Sequence, residues 1–133
     1  MASILVIEDE AFIARAVRDK LSHEGHQVDS VHSGPDALAW LKTNRPDLII
    51  LDVLMPDMDG FEVVARLKAD PATATIPIMM LTVLSQDDRM TQLGIDAYLT
   101  KPYRGADLLR TVREVLARTT GGQNGKQEDP GGR

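Results

Sequence analysis

The 133-residue sequence has no cysteine, so disulfide bonds and thiolate metal sites are excluded. It also has little positive charge: 15 lysines and arginines stand against 20 acidic residues, and the formal net charge is −5. Because an acidic chain is a poor electrostatic partner for nucleic acid or anionic lipid, we expect no direct nucleic-acid or membrane binding. No apolar run approaches the roughly 20 residues that span a bilayer, and no basic leader is present. These features predict a cytoplasmic protein.

The composition predicts one globular domain followed by a tail. Hydrophobic residues make up 43% of the chain, which is ordinary for a domain with a single core. Residues 119–133 differ, because they are rich in glycine and polar residues and have no large apolar side chain. Such a segment cannot offset its ordering entropy by burial. We therefore expect a domain over residues 1–118 and a disordered tail or linker over residues 119–133.

Apolar runs and helical spacing alternate along the domain. Runs without polar alternation predict strands that are covered on both faces. The strong runs are residues 4–7, 48–51 and 76–81, and the weaker ones are residues 28–31 and 97–99. Helical patterns follow Glu10, Ser33 and Asp59, and also cover residues 86–93 and 106–118. Five strand–helix units predict an α/β fold with a doubly wound parallel sheet.

Polar residues follow the three strong apolar runs and the last predicted strand. They are Glu8, Asp9, Asp52, Thr82 and Lys101. Ligands of such sheets bind at the carboxyl ends of the strands, where these side chains should meet. Each pair of carboxylates at ~4 Å would cost about 4 kcal/mol at a dielectric near 20, so a divalent cation, Mg²⁺ or Mn²⁺, is expected.

This set of side chains suits phosphoryl transfer, which depends on positioning and charge stabilisation. Asp52 would be the nucleophile and become an acyl phosphate. The metal would be held by Asp9 and Asp52, with Glu8 nearby through water. Lys101 and the hydroxyl of Thr82 would each contact a phosphoryl oxygen.

At this point the chain resembles a known family, the receiver domains of two-component response regulators. The resemblance covers about residues 3–118, and four stretches carry it in order. They are ILVIEDE at residues 4–10, DLIILDVLMPDMDG at residues 47–60, IPIMMLT at residues 76–82 and DAYLTKPY at residues 96–103. It implies a CheY-like, flavodoxin-like (βα)5 fold with strand order 2-1-3-4-5.

The resemblance also implies roles for particular residues. Asp52 is similar to the phosphoacceptor, and Glu8, Asp9 and the backbone carbonyl of Leu54 are similar to the family's metal ligands beside it. Lys101 resembles the family's lysine, which is followed by a peptide bond to proline that is typically cis.

A switch and its partners are implied in the same way. Thr82 and Tyr98 are similar to the family's switch pair, whose hydroxyl moves toward the phosphoryl group while the ring turns inward. The donor would be a sensor histidine kinase or a histidine phosphotransfer protein, and a downstream protein would read the changed surface. The domain would catalyse only its own phosphorylation and slow dephosphorylation, so we expect a signalling protein and not an enzyme. The oligomeric state stays open, with a dimer as one option.

The chain departs from the family pattern in two places. Only nineteen positions separate Thr82 from Lys101 (101 − 82), which shortens the fourth helix and puts its usual contacts in doubt. Val83 replaces a residue that is commonly small, and we expect it to crowd the entrance to Asp52. Leu54 and Leu84 should flank the path of the hydrolytic water. Because neither can orient water, we predict a long-lived phosphorylated form.

Other functions remain open on sequence alone. An aspartate-nucleophile phosphatase would need a second aspartate at the position of Leu54. A flavin- or nucleotide-binding module would need a less acidic loop after the first strand. A degenerate receiver would bind partners without phosphorylation.

Simpler structural roles are expected for several polar residues. Glu8 and Asp9 could merely favour the start of a helix, and Asp57 and Asp59 suit a turn and a helix cap. The histidines lie off the predicted strand ends in no ligand spacing, so we interpret them as surface or structural residues. They are His23, His26 and His32.

Overall fold

Five strands alternate with five helices in the computed structural model, which describes residues 1–84 and 88–123. The elements are β1 Ser3–Ile7, α1 Ala11–His23, β2 Gln27–Val31, α2 Gly34–Trp40, β3 Leu48–Leu51, α3 Gly60–Ala69, β4 Ile78–Thr82, α4 Asp88–Gln92, β5 Ala97–Thr100 and α5 Gly105–Gln123. The strands form one parallel sheet in the order β2-β1-β3-β4-β5. The predicted fold and strand order are confirmed.

Both faces of the sheet are covered by helices, which explains the unbroken apolar strands. Along β1, Leu5 and Ile7 pack in a cluster that includes Phe61 of α3. Ile4 and Val6 pack on the opposite face, in a cluster to which α1 and α5 contribute. Side chains alternate between the faces of a strand, so a strand that is buried on both sides must be apolar throughout.

The predicted helix ends are stabilised as the sequence indicates. The Ser33 hydroxyl accepts a hydrogen bond from the Asp36 amide at 3.1 Å and caps α2. The Asp59 carboxylate accepts one from the Glu62 amide at 2.9 Å and caps α3. Gly25 ends α1 with a φ of 95°, a conformation that glycine adopts without steric cost.

One strand begins later than predicted. We predicted a strand over residues 76–81, whereas β4 spans Ile78–Thr82. Pro77 has no N–H to donate to a ladder, so the paired strand starts after it. The carbonyl of Pro77 still accepts a hydrogen bond from the Ile49 amide at 3.0 Å.

The last two helices also differ from their predicted bounds. Helix α5 ends at Gln123, five residues (123 − 118) beyond the predicted end. A packed helix gains one backbone hydrogen bond for each added residue without a new nucleation cost. The rest of the predicted tail, residues 124–133, lies outside the described residues, as do residues 86 and 87 of the predicted fourth helix. None of the helices described is long and apolar enough to cross a membrane.

Candidate functional site

The carboxyl ends of the strands bring together most of the predicted site residues. Glu8 follows β1 and Asp52 follows β3, while Thr82 closes β4. All three are buried, with 4%, 7% and 0% of their surface exposed. Polar groups so deeply buried need partners, and the partners here are nearby backbone amides and the residue that follows β5, Lys101.

Lys101 lies between the two buried carboxylates. Its Nζ is 2.9 Å from Asp52 Oδ2 and 3.6 Å from Glu8 Oε1. The Lys101 amide donates to the Thr82 carbonyl at 2.7 Å, which fixes the start of the loop. The following peptide bond to Pro102 is cis, as the resemblance implies. Lys101 therefore joins the ends of four strands, β1 and β3 through its ammonium group, and β4 through the backbone amide of the residue that follows β5.

The backbone around Asp52 is held on two sides. The Leu54 amide donates to Asp52 Oδ1 at 3.2 Å, so both carboxylate oxygens have a hydrogen-bond partner. Gly60 packs against the same loop, and its amide donates to the Val53 carbonyl at 2.8 Å. A Cβ atom on Gly60 would lie 2.4 Å from the Asp52 carbonyl oxygen. A glycine at the start of α3 is thus needed for this close approach, a role that we did not predict.

Glu8 has further partners besides Lys101. Its carboxylate accepts a hydrogen bond from the Glu10 amide at 3.2 Å, and its own amide donates to the Val31 carbonyl at 3.0 Å. Its carbonyl oxygen lies 3.1 Å from Nδ1 of His32. We predicted that His32 lies off the strand ends, which is wrong, because it directly follows β2. The strand-end rule, applied to β2 as well, would have found it.

Burial sets the electrostatics of the site. It raises the pKa of Glu8 from 4.5 to about 7, because the Glu10 amide and the charge of Lys101 offset only part of the desolvation. Burial lowers the pKa of Lys101, but the hydrogen bond and charge of Asp52 outweigh it, so the net pKa is raised. Burial also raises the pKa of Tyr103, a residue that we did not predict near the site. When both buried carboxylates are ionised they share one ammonium, and negative charge is then in excess.

Comparison with known proteins identifies the family. The sequence model of the response regulator receiver domain matches residues 4–113. The chain belongs to the receiver domains of two-component response regulators. It is 40% identical over 121 residues to the transcriptional regulatory protein AfsQ1 of Streptomyces coelicolor, covering 89% of the chain and 52% of AfsQ1. The chain therefore spans about half the length of this relative.

Two solved receiver structures share the fold. One is the signal receiver domain of a signal transduction histidine kinase from Syntrophus aciditrophicus, with a TM-score of 0.83, 35% identity and coverage of 96% of both chains. The other is the receiver domain of the sensor histidine kinase PA1611 from Pseudomonas aeruginosa, with a TM-score of 0.78 and 28% identity. It covers 87% of this chain and 98% of that one, and is described with a magnesium ion coordinated in its active site cleft.

The donor set of this receiver domain fits a magnesium ion with several waters. Within residues 1–84 and 88–123, no three acidic or histidine side chains gather closely enough to hold an ion by themselves. Mg²⁺ rarely needs such a cage, because it usually keeps several waters beside one or two carboxylates. Glu8 and Asp52 supply buried carboxylates, and Asp9 adds a half-exposed one next to them. A cation here would favour the ionised form of Glu8 and offset the repulsion between the carboxylates.

The two residues predicted as a switch lie in different surroundings. Thr82 is fully buried, and its Oγ1 accepts a hydrogen bond from the Leu84 amide at 3.1 Å. Tyr98 is 39% exposed on β5 and pairs with Met80, two residues before Thr82. Because side chains two apart share a face of a sheet, Tyr98 is a diagonal neighbour of Thr82. Their switch role stays a prediction.

Exposed apolar side chains lie in the segments that follow β1, β3 and β4, at the same end of the sheet as the site. Phe12 is 85% exposed at the start of α1, and Leu54 and Val83 are 54% and 56% exposed in the loops after β3 and β4. Single exposed apolar residues are ordinary, but three at one edge of a sheet suggest a surface that another molecule covers. The predicted crowding by Val83 is neither supported nor opposed by its exposure.

Proposed function

We propose that this receiver domain accepts a phosphoryl group on the Asp52 carboxylate and so acts as a signalling switch. The observation that carries the proposal is the contact of Lys101 Nζ with Asp52 Oδ2 at 2.9 Å, next to the buried Glu8. Phosphoryl transfer needs a nucleophile fixed in line and cationic groups fixed around the spreading charge. A buried carboxylate with a lysine at its side meets both needs.

The proposed step makes one bond and breaks one. A carboxylate oxygen of Asp52 attacks the phosphorus of the donor, the new O–P bond forms, and the donor's P–N bond breaks as its imidazole leaves. Lys101 Nζ, which contacts the Asp52 carboxylate before the transfer, can contact a phosphoryl oxygen after it. Thr82 Oγ1 accepts a bond from the Leu84 amide through a lone pair, so its own hydrogen stays available for a phosphoryl oxygen.

We propose that Mg²⁺, or Mn²⁺ in its place, completes the site. Asp9, Asp52 and the backbone carbonyl of Leu54 would hold the ion, with Glu8 nearby through water. When bound, it would neutralise charge on the phosphoryl oxygens. The buried carboxylates of this chain support the assignment, as does the magnesium ion described for the PA1611 receiver domain.

The donor we propose is a phosphohistidine protein, either a sensor histidine kinase or a histidine phosphotransfer protein, acting in the cytoplasm. The exposed apolar residues at the same end of the sheet as the site support a protein donor, because they offer contact area that a small phosphate donor would not use. They are Phe12, Leu54 and Val83. A downstream protein would then bind the phosphorylated form.

Intact mass spectrometry tests the proposal. We expect the protein to gain one phosphoryl group on incubation with Mg²⁺ and acetyl phosphate, or with a phosphorylated histidine kinase, and to lose this ability in EDTA. Asp52→Asn should abolish the gain. Asp57→Asn is the matched control, since it removes a carboxylate from the same loop at a φ of 71° that asparagine tolerates. An unmodified wild type, or a phosphorylated Asp52→Asn variant, would contradict the proposal.

A further inference from the structure

His32 binds the main chain of the proposed metal site without contacting its carboxylates. Its Nδ1 lies 3.1 Å from the Glu8 carbonyl oxygen. A carbonyl oxygen can only accept a hydrogen bond, so Nδ1 must carry the hydrogen and donate it. This donor comes from an exposed side chain that has no part in the proposed phosphoryl transfer.

The hydrogen bond from His32 extends the hydrogen-bonded pairing of β1 and β2 beyond its last backbone bond. The last paired residues are Ile7 and Val31, and the Glu8 amide then donates to the Val31 carbonyl. Beyond this point the chain turns away, because Ser33 is the N-cap of α2. The imidazole of His32 therefore supplies a donor of the kind that a longer β2 would supply with a backbone amide.

The position of this bond matters for both acidic residues. The Glu8 carbonyl belongs to the planar peptide unit that joins Glu8 to Asp9. Fixing its oxygen fixes the plane from which the two side chains leave. We propose that His32 is a positioning residue that holds Glu8 and Asp9 in place for a divalent cation. The inference rests on the proposed function, since it requires that a cation binds there.

Three substitutions at His32 distinguish the effect of the hydrogen-bond donor's position from the effect of side-chain size. His32→Leu removes the donor, while His32→Asn keeps an N–H near the place of Nδ1. His32→Gln moves the amide to the place of Nε2, farther from the Glu8 carbonyl. Binding of Mn²⁺, followed by the electron paramagnetic resonance of the free ion, should weaken by about two- to tenfold in the leucine and glutamine variants. Because the ring is exposed, we expect the lower part of this range, and the asparagine variant should bind as the wild type does.

A second measurement reports on the metal-free proteins. The amide resonance of Asp9 should shift in the leucine and glutamine variants and return in the asparagine variant, because it shares the peptide plane with the Glu8 carbonyl. A purely structural role would lower the resistance to urea and leave the Mn²⁺ affinity unchanged, which would overturn the inference.

The outcomes also separate this inference from the function on which it rests. A wild type that neither binds Mn²⁺ nor takes up a phosphoryl group would overturn both. If the wild type binds Mn²⁺ and takes up a phosphoryl group, and His32→Leu binds Mn²⁺ with equal affinity, only the positioning role is overturned.

Discussion

Replacing Glu8 with glutamine should change how the stability of the metal-free protein depends on pH. Burial raises the pKa of Glu8 to about 7 from an ordinary 4.5. The folded protein therefore keeps this proton over a pH range in which the unfolded chain loses it. The sign follows from linkage: the contribution is fully present below pH 4.5 and is lost as the pH rises through about 7.

The size of the effect follows from the two pKa values. One pH unit corresponds to about 1.4 kcal/mol, so a rise from 4.5 to about 7 corresponds to about 3 kcal/mol of unfolding free energy. Glu8 is only 4% exposed, so solvent screening removes little of it. Other carboxylates titrate over the same range, so the prediction concerns the difference between the wild type and Glu8→Gln, from which their contributions largely cancel.

Urea unfolding in EDTA at about pH 5 and about pH 7.5 measures this difference. The wild type should lose about 2 kcal/mol more than Glu8→Gln between the two pH values, less than the full effect because Glu8 of the unfolded chain is already largely ionised at pH 5. Glu10→Gln is the matched control, because it removes an exposed carboxylate from the same turn and should follow the wild type. Mg²⁺ should stabilise the wild type more at the higher pH, since a cation favours the ionised carboxylate. Parallel pH profiles of the wild type and Glu8→Gln would refute the reasoning.

Two further substitution sets test contacts around the site. Gly60→Ala should lower the unfolding free energy by about 1–3 kcal/mol and slow phosphorylation by acetyl phosphate, because the new Cβ would lie 2.4 Å from the Asp52 carbonyl oxygen. Gly25→Ala, at a φ of +95° in open space, should cost about 1 kcal/mol and leave phosphorylation unchanged. Urea unfolding and phosphorylation rates measure the two effects, and equal phosphorylation rates in the two variants would contradict this assignment. Leu54→Asn combined with Leu84→Glu should shorten the lifetime of the phosphorylated form, measured by intact mass over time, and an unchanged decay would refute the predicted role of these leucines.

Much of the fold could be predicted because burial on both faces leaves a clear pattern in short strands. The run of residues 48–51 is apolar throughout, and all four residues of β3 are buried. The edge strand β2 is only half-buried and carries Asp29 and Ser30, so its pattern is weaker. The start of β4 could have been corrected from Pro77 alone, since proline cannot donate to a ladder.

The site was predictable where side-chain chemistry defines it and not where the backbone does. Glu8, Asp52 and Lys101 were found because charged residues directly after apolar strands are conspicuous. Gly60 and His32 lie against the carbonyl groups of Asp52 and Glu8, and nothing in the spacing of residues shows which carbonyl a loop will approach. Such contacts depend on the path of the chain between a strand and the next helix.

The proposed chemistry also suggests how a change at Asp52 would reach the surface. Forming the acyl phosphate replaces one carboxylate charge with a phosphoryl group that carries about two, beside a carboxylate that burial already disfavours as an ion. The added charge would draw on the nearest donors, Lys101 and the hydroxyl of Thr82. If the Oγ1 atom itself moves toward the phosphoryl group, its hydrogen bond from the Leu84 amide would lengthen or break, and this bond holds the start of the loop after β4. The side chain of Leu84 packs against the core, so a shift there would be passed to the helices on that face and not lost in solvent.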